Sequence, residues 1–248
     1  MKDPKHDWII PDWPAPAEVS ALSTTRKGGV SQGPWQSLNL GTNSGDDPAD
    51  VARNRQLLNE VLPAPPRWLQ QVHGHKVVRH DGQATLMAGS VQADAQWSPT
   101  KGAVCAVLTA DCLPVLFCDR QGTRVAAAHA GWRGLAAGVL ENTVAALGVP
   151  ASELLAWMGP AIGPAVYRVG AEVKAAFRQQ EEEGAAAFAA DGDRWLFDLY
   201  AMARHRLQRA GVGHISGGGL CTYSDPQRFF SYRRDKVTGR MATLVWLL

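Results

Sequence analysis

The sequence predicts one domain of mixed α and β structure, in the α/β or α+β class. Three observations carry that reading. The middle of the chain is a run of short, almost continuously apolar segments, the mark of strands covered on both faces. Segments with apolar residues at helical spacing lie on both sides of it. No tandem repeat or compositional break divides the 248 residues, of which 46% are hydrophobic and 19% charged, so a single core suffices.

Taken in order, Pro11, Pro14 and Pro16 make residues 1–17 an extended lead-in, with the domain proper at 18–248. Residues 18–24 read as the first strand, and the glycine-rich segment 26–34, closed by Pro34, as an exposed loop. Asp46 and Asp47 before Pro48 start a helix that presents Val51, Leu57, Leu58 and Val61 and ends before Pro63. Residues 67–72 and 76–80 read as two short strands around a turn at Gly74. Three central strands follow at 103–109, 113–118 and 124–129, the last two joined as a hairpin through Asp119-Arg120-Gln121-Gly122. A helix over 134–147 turns Ala136, Leu140, Val144 and Leu147 inward and stops at Gly148. Another helix runs from Ala171 to about Glu183, and Asp198 caps a third with Leu199, Met202, Ala203, Leu207 and Ala210 inward. The last strand, 242–247, is apolar enough to be central.

Composition narrows the function. Twenty-five Lys and Arg against 23 Asp and Glu give a net charge of +2, too weak a field to draw nucleic acid or an anionic membrane. The longest apolar stretches fall far short of the roughly 20 residues that cross a bilayer. Trp8-Ile9-Ile10 is too short for a secretory core, so a cytoplasmic protein with a small-molecule partner is expected. Four cysteines without a CxxC pair read as reduced thiols.

Reactive groups concentrate in Gln71-Val72-His73-Gly74-His75, Thr109-Ala110-Asp111-Cys112-Leu113-Pro114 and Ala128-His129-Ala130-Gly131-Trp132-Arg133-Gly134. Each lies where an expected strand meets a turn, where side chains converge on a cleft while the sheet holds them. One thiolate and two imidazoles suit zinc and leave its fourth position open, which makes His73, Cys112 and His129 candidate ligands. The same segments allow a metal-free chemistry, with Cys112 as nucleophile, His129 as base and Asp111 as orienting group or acid. Arg26, Arg133, Arg233 and Arg234 stand beside glycine or aromatic residues in loops, where guanidinium groups bind phosphate bidentately. Trp132, Tyr223, Phe229, Phe230 and Tyr232 are candidates to stack a planar base.

Seven segments, in order along almost the whole chain, together resemble the YfiH family, also called the multicopper polyphenol oxidase or laccase-domain family. They are Thr24-Thr25-Arg26-Lys27-Gly28-Gly29-Val30-Ser31, Ser37-Leu38-Asn39-Leu40-Gly41, Gln71-Val72-His73-Gly74, Thr109-Ala110-Asp111-Cys112-Leu113-Pro114-Val115, His129-Ala130-Gly131-Trp132-Arg133-Gly134, Gly159-Pro160-Ala161-Ile162-Gly163-Pro164 and Phe229-Phe230-Ser231-Tyr232-Arg233-Arg234-Asp235. The resemblance implies a single layered α-β-β-α domain related to the cytotoxic necrotizing factor deamidases. It implies a zinc-dependent purine nucleoside phosphorylase acting on adenosine, inosine or guanosine, with adenosine deaminase and methylthioadenosine phosphorylase side activities. His73, Cys112 and His129 match the family's metal ligands. Asp111 becomes the candidate acid or base, and Arg26, Asn39, Arg133 and Arg233 the candidate substrate and phosphate contacts.

Two alternatives within that resemblance are a laccase-like polyphenol oxidase and a cysteine hydrolase that edits peptidoglycan precursors. Several coppers need on the order of ten imidazoles. Seven histidines with one paired motif, His73-Gly74-His75, fall short of that, and copper enters only as an alternative ion at the same triad. The expected partners are a purine nucleoside and phosphate, with no nucleic acid and no membrane, on a monomer or small homo-oligomer.

Overall fold

Two sheets pack face to face between layers of helices in the computed structural model, which describes residues 7–82, 91–178 and 186–248. The first half of the chain forms β1 (Val19–Ser23), α1 (Pro48–Asn59), β2 (Val77–Arg79), β3 (Ala95–Ser98), β4 (Cys105–Thr109), β5 (Leu113–Asp119) and β6 (Val125–Ala130). Next come α2 (Trp132–Ala136), α3 (Val139–Leu147), β7 (Leu154–Met158), β8 (Arg168–Val169) and α4 (Ala171–Arg178). The chain closes with β9 (Phe188–Asp191), β10 (Arg194–Phe197), α5 (Leu199–Arg209), β11 (His214–Gly217), α6 (Tyr232–Asp235) and β12 (Met241–Leu247). The larger sheet has the order β11-β7-β5-β6-β3-β2, the smaller β1-β12-β4, and a small third sheet β8-β10-β9.

The two-residue period of the strands divides the apolar runs between two layers. Leu116 and Cys118 of β5, Val125 and Ala127 of β6, and Leu155 and Trp157 of β7 face the smaller sheet, where they meet Cys105, Val107, Val245 and Leu247. The alternate residues Leu113, Val115, Phe117, Ala126, Ala128, Ala130, Ala156 and Met158 face the helices and pack with Leu140, Phe177, Met202 and Leu207. On the outer side of the smaller sheet, Ala106, Ala242 and Leu244 pack with Leu38, Leu40 and Leu58 of α1 and its preceding loop. The layers are therefore α-β-β-α, as the resemblance implied, and the strands expected to be covered on both faces are.

Local chemistry explains the helix starts. Asp47 accepts a hydrogen bond from the Ala49 amide ahead of α1, with Pro48 at its first position, and Asp198 accepts from Ala201 ahead of α5. Three expectations need correction. The segment 67–72 makes only isolated bridges, because the Gln71 side chain takes over the pairing: it accepts from the Leu108 amide (2.7 Å) and donates to the Leu108 carbonyl (2.8 Å). The helix expected over 134–147 is two helices, broken at Gly138, whose φ of 90° leaves the helical region. Of the three central strands, β4 belongs to the smaller sheet and β5 to the larger, so the chain crosses between sheets at residues 110–112. The expected extension of α4 beyond Arg178 lies outside the described residues. Among the described residues no helix is long and apolar enough to cross a membrane.

His80, at the end of β2 and only 2% exposed, gives the fold a pH dependence. Its Nδ1 accepts from the Gly82 amide (3.3 Å), and burial, reinforced by the charge of Arg67, pushes the imidazole down to about 4 from 6.5. The unfolded chain binds the proton that the folded chain refuses, so stability is full above about pH 6.5 and falls as the pH drops toward 4. The loss is on the order of 3 kcal/mol. Denaturant melts at pH 7 and pH 4.5 should show the decline, and His80→Gln should reduce it; an identical slope in both proteins contradicts this origin.

Candidate metal centre

The inter-sheet crossing, the end of β6 and the loop before β2 meet at one mouth. Asp111, in the crossing, has a φ of 91° and His73 a φ of 60°, a region that non-glycine residues enter at a cost when surrounding contacts hold them. For Asp111 those contacts are the Thr222 hydroxyl (2.6 Å) and the Arg233 amide (2.6 Å), both donating to its carboxylate. His73 is held through its own amide, which donates to Asp94 at 2.9 Å. His129 lies in β6, opposite Pro114 of β5, which brings it beside Cys112.

His73, Cys112 and His129 each offer one donor atom, and the three lie within 4.8 Å of one another. Cys112 Sγ is 3.8 Å from His73 Nε2, and the two imidazoles meet edge to face with centroids 4.8 Å apart. Tetrahedral zinc, with bonds of about 2.3 Å to sulfur and about 2.0 Å to nitrogen, separates such donors by about 3.5 Å. The Cys112–His73 separation is close to this value, and the donor types are those zinc takes, so the set fits the ion. A further sign is the cradle at Gly131, where an added Cβ would stand 2.9 Å from Cys112 Sγ and 3.0 Å from His73 Cδ2.

Asp94, which the sequence reading missed, organises the group. It is fully buried just before β3, and its Oδ1 accepts a hydrogen bond from His129 Nδ1 at 2.8 Å. That bond commits Nδ1 to Asp94 and turns Nε2 toward Cys112 as the nitrogen that would give up its proton when a metal binds, the orientation ligating histidines need. The same carboxylate accepts from the amides of Val72 (3.2 Å), His73 (2.9 Å) and Gly74 (2.7 Å), so one side chain fixes two ligands that come from different segments.

The electrostatics follow from this geometry. Burial opposes a thiolate at Cys112, but the His129 and His73 imidazoles outweigh it and bring the thiol down to about 6. Burial likewise opposes a charged His129, and the Cys112 thiolate and Asp94 carboxylate overcome it, raising the imidazole to about 9. Cys118, by contrast, is pushed up to about 12 by burial and the Asp119 charge, and burial raises Cys105 as well. Only a deprotonated sulfur ligates a metal or attacks a substrate, which sets Cys112 apart from these core thiols.

The triad opens into a cavity of about 730 Å³ whose wall includes Asp111, Trp68, Tyr167, Tyr232 and the guanidinium groups of Arg55, Arg233 and Arg240. Arg233 is thus the expected phosphate contact that the structure brings to the cavity. Arg26 lies off its wall, donating to the Gln36 and Pro226 carbonyls and stacking over Phe230. Arg133 covers the Trp132 ring at 4.2 Å, and Arg234 clamps the carbonyls of Thr222, Tyr223 and Phe229. Asn39 is fully buried behind the wall. Of the expected stacking residues, Tyr232 is on the wall, 53% exposed, while Trp132, Tyr223, Phe229 and Phe230 are not. Arg55 and Arg240 carried no signal in the sequence beyond their charge.

Fold and site together define a layered α-β-β-α protein with an open His-Cys-His centre at the mouth of a cationic cavity. The chain belongs to the family described as multi-copper polyphenol oxidoreductase laccase, the YfiH family, whose profile matches residues 20–248. A Pseudomonas aeruginosa protein named a purine nucleoside phosphorylase is 57% identical, over 97% of this chain and 98% of its own. The Escherichia coli purine nucleoside phosphorylase YfiH is 54% identical over the same shares. Among solved structures, Neisseria meningitidis protein NMB0706 superposes with a TM-score of 0.93 at 52% identity, covering 97% of this chain and 99% of its own.

Proposed function

We propose that this chain is a zinc-dependent purine nucleoside phosphorylase, converting adenosine, inosine or guanosine and phosphate to the free base and ribose 1-phosphate. The observation that supports it most is the meeting of a His-Cys-His donor set and three guanidinium groups in one cavity of about 730 Å³. The names carried by relatives above 50% identity point the same way.

Zinc on His73, Cys112 and His129 would supply a Lewis acid at the cavity mouth. The remaining work falls to the chain. In phosphorolysis the bond from the anomeric carbon to the purine nitrogen breaks, its electrons leave with the base, and a phosphate oxygen bonds to that carbon. The proton of hydrogenphosphate ends on the purine. Asp111 is the acid or base on the wall, its carboxylate fixed by Thr222 and the Arg233 amide, and it relays that proton. Arginines on the wall neutralise the phosphate, and the exposed ring of Tyr232 offers a face to the base. Adenosine deamination and methylthioadenosine phosphorolysis are side activities of the same cavity in this reading.

Inosine with inorganic phosphate should give hypoxanthine and ribose 1-phosphate in equal amounts, and inosine alone neither. Adenosine without phosphate should give inosine and ammonia slowly. Absence of all turnover in zinc-loaded protein overturns the nucleoside reading, and oxidation of a phenol by copper-loaded protein at a faster rate replaces it.

A further inference from the structure

Two of the cavity's guanidinium groups are built in as cations that form no ion pair among the described residues. Arg55 of α1 stacks over Trp68 at 4.5 Å and donates Nε and Nη2 to a single acceptor, the Leu40 carbonyl (3.0 and 2.9 Å). Burial pushes it down to about 10, with no carboxylate near enough to offset that. Arg240 spends Nη1 on the carbonyls of Thr238 and Gly239, both at 2.9 Å, and burial lowers it too, partly offset by the nearby Cys112 and Asp111 charges. Neither forms an ion pair among the described residues, and each keeps three N–H donors beyond those bonds. Asp111 is the only carboxylate among the described residues of the wall, against three guanidiniums.

One short segment holds both arginines. Leu40 accepts from Arg55 through its carbonyl and donates its amide to the Arg240 carbonyl (3.1 Å). The buried Asn39 accepts from the Arg240 amide (2.9 Å) and the Gly41 amide (3.0 Å) through Oδ1, while its Nδ2 donates to Asp46 (2.9 Å) and Ser44 (2.7 Å). Gly41 lies under the Arg240 side chain, where an added Cβ would stand 2.6 Å from Cγ. Fixed guanidinium forks with spare donors and partly desolvated charge are matched by a tetrahedral oxyanion, which takes paired N–H bonds and supplies the missing negative charge.

We propose that Arg55 and Arg240, positioned by Asn39-Leu40-Gly41, form the subsite that binds inorganic phosphate beside the metal centre. The subsite deepens the phosphorylase reading and rests on it for phosphate as a substrate. It moves phosphate recognition away from Arg26, and it makes Asn39 a positioning residue that touches no ligand.

The test uses the zinc-loaded full chain and inorganic phosphate itself, with binding by calorimetry and the KM for phosphate and for inosine measured separately. Arg55→Met and Arg240→Met should each weaken phosphate binding by about tenfold or more, the loss of a charge-assisted bond, with the inosine KM moved less than about twofold. Arg53→Met, on the same helix but off the wall, should leave phosphate binding unchanged. Should either methionine variant melt without cooperativity, Arg55→Lys and Arg240→Lys keep the charge, lose the fork, and should still weaken phosphate. Phosphate bound equally tightly by wild type and all folded variants overturns the subsite, even where ribose 1-phosphate is made. Phosphate lost in the variants while wild type makes no ribose 1-phosphate upholds the subsite and overturns the phosphorylase reading instead.

Discussion

Asp94→Ala should destabilise the protein by about 3–5 kcal/mol, the range for removing one partner of a buried, hydrogen-bonded charge pair. The expected size follows from what the carboxylate holds. It is fully buried and accepts from three consecutive backbone amides as well as from the buried His129 Nδ1, so its removal leaves four donors without their acceptor, one of them on a buried imidazole. Asp94→Asn separates the structural role from the positioning role. The amide keeps the shape, so most of the fold should survive. Its oxygen can still accept from two of the amides, but its nitrogen turns donors toward donors. The His129 ring is then free to present the wrong nitrogen, and zinc affinity, read by competition with a chelator, should fall by about 10–100-fold. A variant that binds zinc as tightly as wild type would show that Asp94 is only a brace for the loop.

Cys112→Ala should remove the metal while sparing the fold. The side chain is only partly buried at the cavity mouth, so little packing is lost, whereas the centre loses its one sulfur donor and its negative charge. A zinc site in a protein is worth about 10–16 kcal/mol in all, so one ligand of three accounts for at least about 3 kcal/mol, a factor above about 100 in affinity. Metal content after dialysis should drop to background, with the melting temperature of the metal-free proteins nearly equal. Full zinc content in Cys112→Ala would mean the ion is held elsewhere.

Much of this was legible before the fold was known, and the gaps have physical causes. Runs such as 113–118 and 125–128 are apolar at every position because both faces are covered, and the period of the strand then assigns alternate residues to the two layers. The short strands β3, β9 and β11 were not legible, because Ala95-Gln96-Trp97-Ser98 and His214-Ile215-Ser216-Gly217 hold too few apolar residues to set a period. In the site, the donor types of His73, Cys112 and His129 pointed to a metal, and the folded chain brings all three within reach of one ion. Asp94 was missed because an isolated aspartate before a strand looks like a turn residue; only the tertiary fold shows that three amides and an imidazole converge on it. Arg26 looked like a ligand contact for the complementary reason. Its glycine-rich surroundings suggest exposure, yet it lies off the cavity wall, where two of its donors go to carbonyls of the scaffold and its plane covers Phe230.

The most direct test of the account is one preparation carried through metal removal and return. Inosine turnover should be followed with and without phosphate in the purified chain, after a strong chelator, and after zinc is restored. The account predicts phosphate-dependent release of ribose 1-phosphate that disappears with the metal and returns with about one zinc per chain. Turnover that persists undiminished in the metal-stripped protein and disappears on alkylation of Cys112 would contradict it, and would leave the thiolate, not the ion, as the reactive group.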